Sequence, residues 1–175
     1  MWFFVNCSHF TEYCRKLYYT RHSHSSGGSV WTAETDGSNP SEIVRGLRGP
    51  RGIVIDLKMS RIYWADEVTK RIQSSDLDGR NSRTVIQLSD GGPIGIALFG
   101  DKIFWANWGN KKLQSVGMKA RGTDLRTLHI DTLPLQYLTL APDIIGHPQN
   151  RKNHCKGQMC SNICVLTATS FKCVN

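Results

Sequence analysis

Apolar and polar positions along the chain fall into short β-rich runs cut by Gly, Asp and Pro, and the pattern recurs. Three segments line up: Leu17-Tyr18-Tyr19-Thr20, Ile62-Tyr63-Trp64-Ala65-Asp66 and Ile103-Phe104-Trp105-Ala106-Asn107. Each reads aliphatic, aromatic, aromatic, small, and their first residues stand 45 (17 to 62) and then 41 (62 to 103) positions apart. A second short run and a turn signal follow each one, at Thr35-Asp36-Gly37-Ser38, Leu77-Asp78-Gly79-Arg80 and Ala120-Arg121-Gly122-Thr123. The second and third are preceded by Gly49-Pro50-Arg51-Gly52-Ile53 and Gly92-Pro93-Ile94-Gly95-Ile96, and Pro134-Leu135-Gln136-Tyr137-Leu138 follows at the same period. One repeat therefore predicts four strands, at 53–56, 61–65, 71–75 and 83–88.

Four strands in a repeat of this length make a propeller blade. A blade cannot bury both of its faces alone, and one large flat aromatic per repeat, Trp64 and Trp105, suits the space between stacked blades. Asp-Gly at the turns tolerates the positive φ that a tight reversal demands. A generic β-sandwich does not predict matched registers at three kinds of element. The fold expected is all-β: about three blades of a six-bladed type of β-propeller.

These residues resemble the tyrosine-tryptophan-threonine-aspartate, or class B, repeat of the low-density lipoprotein receptor family. The resemblance covers residues 15–150 and implies Tyr18, Tyr19, Tyr63, Trp64, Asp66, Phe104, Trp105 and Asn107 as blade-motif positions. Tyr19 stands where the family has Trp, Ala65 and Ala106 replace Thr, and Asn107 replaces Asp. In the family that Thr and Asp hydrogen-bond between blades, so a thinner polar network is expected here. Residues 1–14 match no blade pattern.

The six cysteines form two groups, Cys7 and Cys14, and Cys155, Cys160, Cys164 and Cys173. Such clustering suggests local staples made in an oxidising compartment. A zinc site usually takes paired, short-spaced ligands, and neither C-x2-C nor H-x3-H occurs near His154. The spacing of the last four resembles the start of an EGF-like module at 151–175. That resemblance implies pairing of Cys155 with Cys164 and of Cys160 with Cys173, and an incomplete module, since Asn175 stands where a fifth cysteine belongs. Lys152, Asn153 and His154 replace the acidic residues of calcium-binding modules, so no calcium is expected. Cys7 and Cys14 could pair with each other, and Asn6-Cys7-Ser8 is a weak glycosylation sequon.

Composition adds little to this picture: 39% hydrophobic and 21% charged residues are those of a globular protein. No apolar run approaches the roughly 20 residues that cross a bilayer, and residues 1–5 lack the features of a secretory signal. The net charge of +8 is scattered along the chain, with Arg151-Lys152 a tight pair just before the cysteine-rich segment, which argues against nucleic acid while leaving an anionic protein surface open. No nucleophile elbow, phosphate loop or H-E-x-x-H pair is present. His22 and His24 sit in a Gly/Ser-rich loop, and neither cofactor nor metal is expected.

The resemblance implies a non-enzymatic extracellular segment of an endocytic receptor, on the outer side of the plasma membrane and in endosomes. Membrane attachment would come only through other parts of a parent protein. It would aid the binding and acid-dependent release of a protein or lipoprotein ligand, or contact the receptor's own cysteine-rich repeats. His129 and His147 are candidate pH sensors, since an ordinary histidine titrates above endosomal pH. A docking propeller of the Wnt co-receptor or basement-membrane type is the alternative, with Trp31 and Trp108 as candidate contact residues. A propeller hydrolase ranks behind both. Three blades leave two faces to be covered, so the isolated chain is expected to be marginal and prone to associate.

Overall fold

The structure, a computed structural model, describes residues 2–3, 16–23, 27–118, 124–131, 137–139, 163–166 and 171–174. Its strands form three four-stranded antiparallel meanders and one three-stranded sheet. The first contains β1 (Trp2–Phe3), β2 (Lys16–Ser23), β3 (Gly27–Glu34) and β4 (Ser41–Leu47). The second contains β5 (Pro50–Asp56), β6 (Arg61–Asp66), β7 (Arg71–Asp76) and β8 (Arg83–Gln87). The third contains β9 (Pro93–Phe99), β10 (Lys102–Asn107), β11 (Lys112–Gly117) and β12 (Arg126–Ile130). These are the blades the repeat predicts. β5 begins earlier than expected because Pro50 pairs with Asp66 across a register shift before Ile53, and β8 ends one residue sooner, at Gln87.

Two features lie outside the repeat pattern. Trp2 and Phe3 pair with Tyr19 and Tyr18, so the segment with no blade signature contributes a strand to the first sheet. In the fourth sheet β13 (Tyr137–Thr139) pairs with β14 (Ile163–Leu166), which pairs with β15 (Phe171–Val174).

The period-2 alternation of a strand sends neighbouring side chains to opposite faces, and this divides the core into layers between sheets. Ile62 and Trp64 of β6 point back at the first sheet and cluster with Tyr18, Val30, Val44 and Leu47. Tyr63 and Ala65 point forward and cluster with Ile96, Ile103, Trp105 and Val116 of the third sheet. Phe104, Ala106 and Leu113 in turn pack with Leu138 of β13. Trp64 and Trp105, both 0% exposed, are thus the fillers between successive blades. Burying such a ring contributes about 3 kcal/mol or more. Among the described residues neither indole N–H meets an acceptor, which offsets part of that gain.

Two glycines set how closely the sheets approach. Gly79, at φ +86°, makes the β7–β8 turn, and a Cβ there would lie 1.9 Å from the Ile43 carbonyl oxygen of the first sheet. Gly52 on β5 faces the third sheet, where a Cβ would come within 2.5 Å of the Ile94 carbonyl oxygen. Only hydrogen fits at either place.

Candidate functional site

The β6–β7 and β10–β11 turns and the links that enter the second and third sheets gather at one end of the stack. Glu67 N–H donates to the Gly49 carbonyl at 2.9 Å, and Trp108 N–H donates to the Gly92 carbonyl at 3.0 Å. Lys70 and Lys111 take left-handed backbone at matching places, φ 55° and 57°, to close the two turns. The repeat thus builds the same loop scaffold twice.

Asp66, fully buried at the end of β6, fastens that scaffold. Its carboxylate accepts three backbone N–H groups: Arg48 at 3.1 Å, Gly49 at 3.1 Å and Thr69 at 3.0 Å. One side chain therefore ties the link into the blade to the turn beside it. Asn107, also fully buried, occupies the same register in the third sheet, but its amide donates back into its own sheet. The partners are the Lys112 carbonyl at 3.3 Å and Gln114 Oε1 at 2.8 Å. Its Oδ1 is buried with no donor among the described residues. The link before the third sheet is held instead by Lys112 Nζ on Asp90 at 3.0 Å. That ammonium holds the Asp90 carboxyl below the usual carboxylate range. The expected thinning of the polar network is visible here. The motif threonine survives only as Thr20, whose hydroxyl donates to the Arg51 carbonyl of the second sheet at 2.7 Å.

On this scaffold Trp108 (44% exposed) and Val68 (60% exposed) present apolar surface to solvent. The Arg51–Glu67 ion pair, 2.7 Å long, lies beside them. A Cβ on Gly92 would approach Glu67 Cγ to 2.8 Å, so the turn of the second sheet abuts the link from which Trp108 hangs. Trp108, Glu67 and Arg51 therefore belong to one surface spanning two blades.

The other expected positions fall elsewhere. Trp31 lies on the outer face of the first sheet, half-buried and stacked on Tyr19 with ring centroids 6.4 Å apart. The Arg21 guanidinium sits 4.7 Å from the Trp31 ring centroid. His129 is opposite Leu113 on β12, the place held by Ile86 in the second sheet and Val44 in the first. Its Nε2 is 3.8 Å from the Asp131 carboxylate, and the two side chains are 20% and 16% exposed. The structure thus does not bring His129 together with Trp31. His147, Cys155 and Cys160 lie outside the described residues. Cys164 and Cys173 stand directly opposite each other in the β14–β15 ladder. The family resemblance implies hydrogen bonding between blades at Asp66 but not which partners it takes, and Arg21, the charged residue at the matching place in the first sheet, is missed by a motif that ends at Thr20. Extending the alignment by one residue would have exposed the reversal. Among the described residues no group of His, Cys, Asp and Glu is arranged to hold a metal ion.

Three sheets stacked through one indole per repeat define a segment of a β-propeller. Comparison with known proteins gives the family. The family described as low-density lipoprotein receptor repeat class B matches residues 60–99. Vitellogenin receptor Yl of Drosophila melanogaster is 33% identical over 141 residues, 78% of this chain and 7% of that protein. The vitellogenin receptor of Solenopsis invicta is 28% identical over 143 residues, 78% of this chain and 8% of that protein. The chain belongs to the low-density lipoprotein receptor family, as a class B repeat segment, and spans less than a tenth of the length of those two receptors. Among solved structures, a chain of a nidogen/laminin complex superimposes with TM-score 0.62 at 27% identity, over 71% of this chain and 48% of that one. A luciferin-regenerating enzyme matches with TM-score 0.61 at 14% identity, over 71% and 46%, a likeness of fold alone.

Proposed function

We propose that the chain is the propeller segment of an endocytic lipoprotein-receptor-like protein, acting outside the plasma membrane and in endosomes by binding a protein ligand, with no enzymatic chemistry. The observation that carries this reading is the exposed Trp108 at the end of the stack where the turns and links of two blades meet. An aromatic anchor beside an ion pair, on a turn tied by its own backbone hydrogen bond, has the form of a binding hot spot. The receptors matched above make vitellogenin, or a lipoprotein of its kind, the first ligand to test. In this reading residues 15–150 are blades and 151–175 an EGF-like module with Cys155–Cys164 and Cys160–Cys173 disulfides. The segment lies in the receptor's ectodomain, where its own cysteine-rich repeats are a second partner.

Surface plasmon resonance of vitellogenin over the immobilised chain tests the reading. Trp108→Ala is expected to weaken binding about tenfold or more, the usual cost of losing an aromatic anchor. Equal affinity for the two proteins removes Trp108 from the ligand face. Acid-dependent release through His129 or His147 is read in the same experiment at about pH 7.4 and about pH 5.5, on either side of ordinary histidine titration. Unchanged pH dependence in both His129→Ala and His147→Ala excludes these histidines. The nidogen/laminin match favours a second reading, a docking propeller for a basement-membrane protein. Binding to laminin in preference to vitellogenin would select it.

A further inference from the structure

The outer face of the first sheet carries a charge reversal at a position that the other two sheets bury. Registers fix the equivalence. Tyr19 opposes Trp31 on β3 as Trp64 opposes Gln73 and Trp105 opposes Gln114. Tyr19 is therefore the counterpart of the two indoles that fill the space between blades. Arg21, two residues on, is the counterpart of Asp66 and Asn107. In the second and third sheets this face is closed by the sheet before it, and both Asp66 and Asn107 are fully buried. In the first sheet Leu17 and Ala33, at the other end of the face, are buried, while Tyr19 and Trp31 remain half-exposed and Arg21 exposed.

A covering sheet that continued the stack would bury Arg21 as the others bury Asp66. Burying a guanidinium without an anion costs several kcal/mol. The solution used at Asp66 is unavailable, because it relies on backbone N–H donors from the link that enters the blade, and Arg21 is itself a donor. The carboxylate on this face nearest in register, Glu42 opposite Trp31, already pairs with Arg45 at 2.7 Å. Among the described residues the contact recorded for Arg21 is the Trp31 ring.

We propose that the upper part of this face, Tyr19, Trp31 and Arg21, docks another class B blade, and that Arg21 selects a blade that brings a carboxylate to it. The inference rests on the propeller reading and adds the chemistry of the partner. The third sheet shows how a blade can supply such a group. Asp131 N–H donates to the Lys111 carbonyl just as Leu88 N–H donates to that of Lys70. Asp131 thus stands where the second sheet has Leu88, which packs in the cluster around Trp105.

The test places a covering blade in front of the full chain. Residues 48–91 are duplicated ahead of residue 1, so that positions 88 to 91 and Met1 reproduce the five-residue link, 88 to 92, between Gln87 and Pro93. Two versions are made, one unchanged and one carrying Leu88→Asp in the duplicated blade only, and hydroxyl-radical footprinting reads each aromatic residue by mass spectrometry. Oxidation of Trp31 and Tyr19 is expected to fall about fivefold or more in the Leu88→Asp fusion and less than about twofold in the unchanged one. Adding Arg21→Glu should abolish the protection by like-charge repulsion. Equal protection in both fusions overturns the selection by Arg21. So does protection in the unfused chain that rises with concentration, which would make a second copy the occupant. Trp64 and Trp105 serve as internal controls: if they oxidise as fast as Trp108, blade stacking itself fails, and with it the propeller reading.

Discussion

The second and third sheets share a strand order and a register, yet they are fastened differently where Asp66 and Asn107 stand. In the second, a buried carboxylate collects three N–H groups and holds the link and the turn in one place. In the third, a buried carboxamide of nearly the same size turns into its own sheet, and the link is held by an ion pair whose Asp90 side chain is half exposed. A carboxylate offers only acceptors, whereas a carboxamide offers one acceptor and two donors, so a site made of backbone N–H groups suits the first and frustrates the second. One atom's difference moves the fastening of a blade from its interior to its surface.

Removing the anchors in turn tests that contrast most directly. Asp66→Ala leaves the Arg48, Gly49 and Thr69 N–H groups without an acceptor. It should cost about 3–5 kcal/mol in urea-induced unfolding, the range for stripping a charged partner from buried groups. Asp66→Asn, which copies the third sheet into the second, should cost about 2 kcal/mol, because one amide donor then faces backbone donors. Asn107→Ala should cost only about 1 kcal/mol, since Asn107 fastens no link. Similar losses at 66 and 107 would show that the two sheets are held alike.

The first sheet sharpens the comparison, because it keeps the motif threonine and has lost the acid. Thr20 donates across to the Arg51 carbonyl, where Ala65 and Ala106 have nothing to donate. Thr20→Val preserves shape and removes the donor, at an expected cost of about 1 kcal/mol. An unchanged urea midpoint would show that the Arg51 carbonyl is satisfied without it. Each of the first two blades thus keeps one part of the fastening that the family motif combines.

Much of this was legible because repetition averages out local ambiguity. Three aromatic motifs, three turns and two Pro-x-Gly runs agree on where strands begin, so the blades and the indole fillers could be read from residues alone. Asp66 was recognisable as a motif position expected to hydrogen-bond between blades, but its particular partners were not, since they are backbone N–H groups that leave no mark on residue identity. β1 was illegible for another reason: two residues are too short for alternation to be seen, and only pairing with β2 defines the strand. Trp31 was read as a contact residue from its type, while its cross-strand partner Tyr19, which places it on the outer face of the first sheet, emerges only from the register. Trp108 lies instead in the β10–β11 turn.

The smallest effect separates interior from surface fastening by salt and acid. Asp90 is held below the ordinary carboxylate range by Lys112. A carboxyl whose folded pKa is depressed contributes stability above its unfolded value, about 4, and loses it as pH falls through the lower folded value. The contribution is modest because the pair is exposed and screened. Amide hydrogen exchange can resolve it locally. At about 1 M salt, where the screening length is near 3 Å, the Trp108 amide, which donates to the Gly92 carbonyl, should exchange faster while those of Arg48 and Gly49 keep their protection. Asp90→Asn should reproduce that loosening at low salt and flatten the response to acid below about pH 4. If salt instead loosens both links equally, the ion pair is not what holds the third blade's link.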